Sequence, residues 1–307
     1  MRIGLTGGGS SVQKIIAQAR QAEADGFSSL WYASSVAGYP LVAMALAGRE
    51  TTAIELGTAV LQTYPCHPLL QANRAAAVAS AMDRPGLVLG IGPSHEPIVR
   101  GVYGLSYDHP GRSTEEYTVI LTRALRGQPV DLDGADWTAH SADRVAAAPH
   151  PVPVLLAALG PRLLRVAGEV ADGTITWLAT ARAIESSIAP RIRAAAAAAG
   201  RQDPRIVAGL PVAVHDDEAQ ARVTAASVSY AAMDNYRRVM DLGGAASAAG
   251  AAIVGGEASV TAQPRALIGA GATDIWAAVF AVGDDRPSRA ASVRRTTGLL
   301  RELVSKP

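Results

Sequence analysis

The run Leu87-Val88-Leu89-Gly90-Ile91-Gly92-Pro93-Ser94-His95-Glu96-Pro97 holds the residue types best placed to do chemistry. A short apolar segment stops at a glycine turn, and Ser94 and His95 stand just beyond it. That length and punctuation suit a strand buried on both faces, as in a parallel sheet. Glycine lets the backbone turn tightly and lets a ligand come close. An imidazole titrates near neutrality, so His95 can act as a general acid or base, or it can brace the loop through hydrogen bonds. Gly160-Pro161-Arg162 is the second such stretch. Glycine at the cap and proline in the first turn leave the free N–H groups of a helix start pointing outward, a ready site for a phosphate. The same triplet also serves merely to begin a helix, and these residues alone leave both readings open.

Other motifs exclude more than they offer. The histidines at 67, 95, 109, 140, 150 and 215 include no His-x-His after the first strand and no closely spaced pair, so no metal site is expected. Gly90-Ile91-Gly92 lacks the third glycine of the dinucleotide fingerprint and lies far from the first strand. Cys66, between Pro65 and His67, reads as a loop thiol, and as the sole cysteine it excludes an internal disulfide. Asp216-Asp217-Glu218 reads as a solvated first helical turn. A net charge of +1 gives no reason to expect nucleic acid or an anionic membrane as partner. No apolar run reaches the ~20 residues of a spanning helix, and Met1-Arg2-Ile3-Gly4 enters a strand without a leader. A cytoplasmic protein acting on a small molecule is the expectation.

The elements that position these residues alternate. Strands are expected at 3–6, 29–32, 54–61, 87–91, 153–159, 173–178, 206–214 and 273–282. Helices are expected near 11–25, 41–47, 69–82, 114–126, 162–170, up to 199, over 217–242 and over 287–305. Residues 127–150 break the rhythm as an insertion with a small hairpin, and 243–262, rich in Gly, Ala and Ser, reads as a loose connection. Strand–helix units repeated in this order give an α/β fold, a (β/α)8 TIM barrel formed by one domain over residues 1–307, with chemistry at the carboxyl ends of the strands. Those ends offer Thr6, Ser34, Ser35, Gln62, Thr63, Tyr64, Ser94, His95, Arg162, Trp177 and Thr180, few of them charged.

At this point the chain resembles the luciferase-like barrel superfamily, and within it the actinobacterial branch of oxidoreductases that use the deazaflavin coenzyme F420. The resemblance is carried by Gly26-Phe27-Ser28-Ser29-Leu30-Trp31, by Ile54 to Val60 with Tyr64-Pro65 and His67-Pro68, and by Leu89 to His95. Ala158-Leu159-Gly160-Pro161-Arg162, Ala171-Asp172-Gly173-Thr174-Ile175 and Gly271-Ala272-Thr273-Asp274 extend it along the chain. It implies a strand-three bulge at Ala59 and Val60, often with a non-prolyl cis peptide, backing the cofactor ring. It implies ring and side-chain contacts from Pro93, Ser94, His95 and Ile98, with Ser34 and Trp177 at the same mouth. It implies phosphate binding at Leu159, Gly160 and Pro161, and a homodimer. Relatives acting on sugar phosphates or alcohols carry acids after strands two and four and lysines for phosphate. Here Ser34, His95 and Thr180 stand at those positions, which leaves His95 as the proton donor and points to an uncharged, hydrophobic substrate. The expected function is hydride transfer between F420 and that substrate. The rivals are an FMN-dependent monooxygenase and a barrel that binds a flavin without turning over.

Overall fold

The computed structural model describes residues 1–34, 39–141, 148–227 and 233–305. In chain order, β1 (Arg2–Gly7), α1 (Val12–Ala24), β2 (Ser29–Tyr32) and α2 (Pro40–Arg49) lead to β3 (Glu55–Thr58), β4 (Leu61–Gln62) and α3 (Pro68–Met82). Next come β5 (Leu87–Gly92), α4 (Glu96–Gly101), α5 (Pro110–Leu125) and a hairpin of β6 (Val130–Asp133) and β7 (Thr138–Ser141). Then follow β8 (Val154–Leu156), α6 (Pro161–Glu169), β9 (Gly173–Trp177), α7 (Ala181–Ala183), a π turn at Ile184–Ile188, and α8 (Ala189–Ala198). The last third holds β10 (Arg205–Val214), α9 (Glu218–Ala226), α10 (Asp234–Leu242), α11 (Ala248–Ala251), β11 (Ile253–Gly255), α12 (Glu257–Gly269), β12 (Asp274–Val279) and α13 (Arg286–Ser305).

The parallel strands close on themselves in the order β1-β2-β3-β5-β8-β9-β10-β12, with β12 returning to β1. This is the expected (β/α)8 barrel. The third strand is interrupted: β3 pairs β5 through Leu56 and Gly57, and β4 resumes that pairing at Leu61 and Gln62. The expected hairpin in the insertion is present as β6 and β7, and 142–147 lie outside the described residues.

Two expectations need correction. Residues 243–262 are not a loose connection: they contain α11, β11 and the start of α12. Small residues are used there for close packing, with Ala248 and Ala251 buried. β11 pairs with β10 at Val212–Val214, above the stretch Arg205–Gly209 that pairs with β9. Nor is 217–242 one helix, since α9 ends at Ala226 and α10 begins at Asp234. The acidic run behaves as read, with the Asp217 carboxylate accepting the Gln220 N–H at 2.9 Å to cap α9.

Side chains inside the barrel stack in layers. At the amino end, Arg2 and Arg205 each pair with both Glu55 and Asp274. Burial would raise the Asp274 carboxyl, yet the Arg205 guanidinium beside it holds it below the ordinary carboxylate range. Above that ring lie Trp31, Val88, Leu155, Ile175 and Val207, with Trp276 against them. Trp31 fits because Gly57 has no side chain: a Cβ there would lie 2.3 Å from the indole. Gly209 makes the same room for Trp276, also at 2.3 Å. The filled middle forms a floor, so a ligand enters only from the carboxyl end.

Candidate cofactor site at the carboxyl face

The floor of the site is the break between β3 and β4. The Ala59–Val60 peptide bond is cis, at the position where the sequence resemblance puts it. Val60 faces two glycines of β5: a Cβ on Gly90 would lie 3.2 Å from Val60 Cγ1, and one on Gly92 would lie 3.0 Å from Val60 Cγ2. Thr58 Oγ1 donates to the Gly90 carbonyl at 2.7 Å and locks the two strands at that level. Ala59 and Val60 are only part-buried, so they present an apolar surface upward.

One wall comes from the turn after β5. Ser94 adopts a left-handed backbone (φ +62°), uncommon for a residue with a side chain. His95 is the N-cap of α4, but its imidazole makes no capping bond and instead lies against the ring of Tyr236 from α10, centroids 5.6 Å apart. Burial holds that imidazole below its ordinary value, so it is neutral at pH 7. Pro93, Ser94 and Ile98 are half-buried around it. The opposite wall is aromatic, with Trp177 at the end of β9 packed at a tilt against Trp276 of β12, centroids 5.0 Å apart. Trp276 Nε1 donates to Thr6 Oγ1 at 2.9 Å, which ties β12 to β1.

The third component is the start of α6. Gly160 is its N-cap, Pro161 occupies the first turn, and no side chain caps it. A Cβ on Gly160 would meet nothing within 4 Å, so the approach to these N–H groups is open. Leu159 is half-buried just before it. Arg162 does not stand free there: it pairs with Glu115 at 2.8 Å, and Arg165 holds the other oxygen of that carboxylate at 2.7 Å.

Among the strand-end residues, Ser34 is half-buried in the turn after β2, and Ser35 lies outside the described residues. Thr180 is occupied structurally, capping α7 at Ala183 N and donating to the Gly243 carbonyl at 3.1 Å. Trp276 and Tyr236 were missed by the sequence reading. Strand alternation could have found Trp276, which shares its face with Asp274 two residues earlier. No local signal places Tyr236.

A closed parallel barrel with a neutral, aromatic carboxyl mouth and an uncapped helix start beside it is the class of protein defined by this geometry. Within that class, the chain belongs to the luciferase-like monooxygenase family, which it matches over residues 2–303. It is similar to a 5,10-methylenetetrahydromethanopterin reductase of Methanolobus tindarius, 28% identical over 64% of this chain and 59% of that protein. It is also similar to an F420-dependent hydroxymycolic acid dehydrogenase of Mycobacterium tuberculosis, 31% identical over 68% of this chain and 61% of the relative. The chain thus spans about three fifths of the length of these relatives. Among solved structures, an F420-dependent secondary alcohol dehydrogenase in complex with an F420–acetone adduct superposes with a TM-score of 0.74 at 17% identity, over 91% of this chain and 93% of that one. At that identity the superposition supports the fold alone. No helix among the described residues is long and apolar enough to cross a membrane.

Proposed function

We propose that the chain is an F420-dependent oxidoreductase acting on an uncharged, hydrophobic organic substrate. The observation that carries the reading is the pairing of an apolar floor at Ala59 and Val60 with an open, uncapped helix start at Gly160. A flat ring carrying a phosphorylated side chain needs both. When bound, the deazaflavin supplies the hydride acceptor or donor, and the protein's work is to hold, orient and shield it. Val60 backs the ring from below. The Leu159-Gly160-Pro161 turn offers its N–H groups and the positive end of α6 to the phosphate. Trp177 and Trp276 exclude water along one side. The neutral His95 imidazole is placed to take a proton from, or donate a hydrogen bond to, a substrate oxygen through a ring nitrogen. The relatives' printed names support the choice of cofactor, and the scarcity of charged groups at the mouth supports the substrate class. The homodimer implied by the family resemblance is proposed to form through the α2–α3 face, where Tyr39, Val42 and Leu46 are exposed around a groove of about 590 Å3 and Leu70 is exposed on α3.

The test is a fluorescence titration with F420 and, separately, with FMN, on the wild type and on Gly160→Asp. Aspartate is a favourable N-cap, so the fold should be kept. Its carboxylate would occupy the free N–H groups and repel the phosphate. Charge-assisted hydrogen bonds contribute about 1.5–3 kcal/mol each, so affinity should fall more than ~10-fold while the melting temperature holds or rises. FMN binding with oxygen-dependent turnover, and none with F420, would overturn the cofactor. Binding of neither flavin would overturn the oxidoreductase reading.

A further inference from the structure

We propose that Tyr107 is a positioning residue for His95, acting through the carbonyl of Ser94; its bearing on catalysis rests on the oxidoreductase reading above. Tyr107 lies beyond α4, yet its Oη donates to the Ser94 carbonyl at 3.0 Å. That carbonyl belongs to the left-handed residue of the turn, a conformation that needs outside support when the residue is not glycine. The next residue is held as well, since the His95 carbonyl accepts the N–H groups of Ile98 and Val99, each at 2.9 Å. With both carbonyls fixed, the direction in which the His95 side chain leaves the backbone is fixed too, and the imidazole is delivered against Tyr236.

Tyr107 is itself anchored. Its ring packs on that of Tyr64, centroids 5.3 Å apart, and Tyr64 lies just after β4, in the loop that borders the floor. Burial pushes the Tyr107 phenol up to about 12, so it remains a neutral donor through the physiological range. The phenol therefore ties the loop after β4 to the turn after β5, the two segments that border the floor at Val60. Tyr103 provides a matched control in the same segment. Its Oη donates to Gln62 Oε1 at 2.7 Å and bonds to β4 instead of the Ser94 turn.

The experiment follows the histidine Cε1–H resonances of the whole protein, labelled at histidine, with the His95 signal assigned by its loss in His95→Ala. In Tyr107→Phe the His95 signal should shift or broaden, while those of His140 and His215 stay in place and report an intact fold. Tyr103→Phe should leave His95 unmoved. A His95 signal unchanged in Tyr107→Phe, or changed equally by Tyr103→Phe, overturns the proposal. F420 affinity is read on the same samples. Tyr107→Phe should weaken it roughly 3- to 10-fold, the range expected of one intramolecular hydrogen bond, and this loss should vanish in a His95→Ala background. An equal loss in both backgrounds overturns action through His95. If the wild type binds no F420, the oxidoreductase reading fails, and the resonances still decide the tie.

Discussion

Gly90→Ala tests the contact on which the floor of the site depends. A Cβ at this position would lie 1.9 Å from the Thr58 carbonyl oxygen, about 1.5 Å inside ordinary contact at 3.4 Å. The obstacle is backbone, so no rotamer change relieves it. Thr58 is held on its other side by pairing with Tyr32, and its hydroxyl bonds the Gly90 carbonyl. The two strands must therefore separate at this level and lose that buried bond. Overpacking a well-packed core costs typically 1–3 kcal/mol, and a hydrogen bond contributes about 1 kcal/mol net. Together these give roughly 3 kcal/mol, or a melting temperature lower by about 5 °C for a chain of this size. Gly160→Ala is the matched control, because its added methyl meets nothing within 4 Å and the backbone there (φ −96°, ψ 160°) is open to any residue. It should melt within about 2 °C of the wild type. Differential scanning calorimetry gives both values, and F420 titration shows whether displacing Val60 costs affinity. If Gly90→Ala melts with the wild type, Thr58 does not pack on β5 as described, and the account of the floor is wrong.

Two further outcomes follow from other parts of the fold. Asp274→Asn leaves Arg205 and Arg2 sharing only Glu55 inside the barrel; the Asp274 side chain is 2% exposed and that of Arg205 18%. Breaking a buried pair costs about 3–5 kcal/mol, and retention of Glu55 places this variant near the lower end in urea unfolding. Because the folded-state value of Asp274 lies below its ordinary 3.8, its contribution is complete above that pH and is lost as pH falls through the folded-state value. The gap between variant and wild type should therefore narrow on acidification below pH 3.8, and a gap independent of pH would refute the assignment. Leu46→Glu places a charge on the exposed α2–α3 face, where Val42 is 53% and Leu70 47% exposed. Sedimentation should move from twice the chain's 31.5 kDa to one chain's mass. An unchanged oligomer, or a wild type already monomeric, refutes dimerisation through this face.

The order of the strands was legible because each strand announces itself locally. An apolar run such as Leu87 to Ile91 between Pro85-Gly86 and Gly92-Pro93 needs no partner to be recognised. The start of α6 was legible for the same reason, since glycine and proline act on their own backbone. What the residues face is another matter, because it is decided when the barrel closes. Gly57 and Gly209 carry no signal of their role as sockets for Trp31 and Trp276. Thr180 stood at a strand end like a site residue, and tertiary contact turned it into a cap and a tie to Gly243. His95 shows the limit most clearly. Its type and its place after β5 could be read, but its environment is assembled from Tyr236, and its backbone from Tyr107 acting on Ser94. Those partners lie in segments that carry no motif of their own. A site built from single side chains on separate strand-end loops leaves its positions in the sequence but not its geometry, which is set only when segments distant in the chain meet at the barrel mouth.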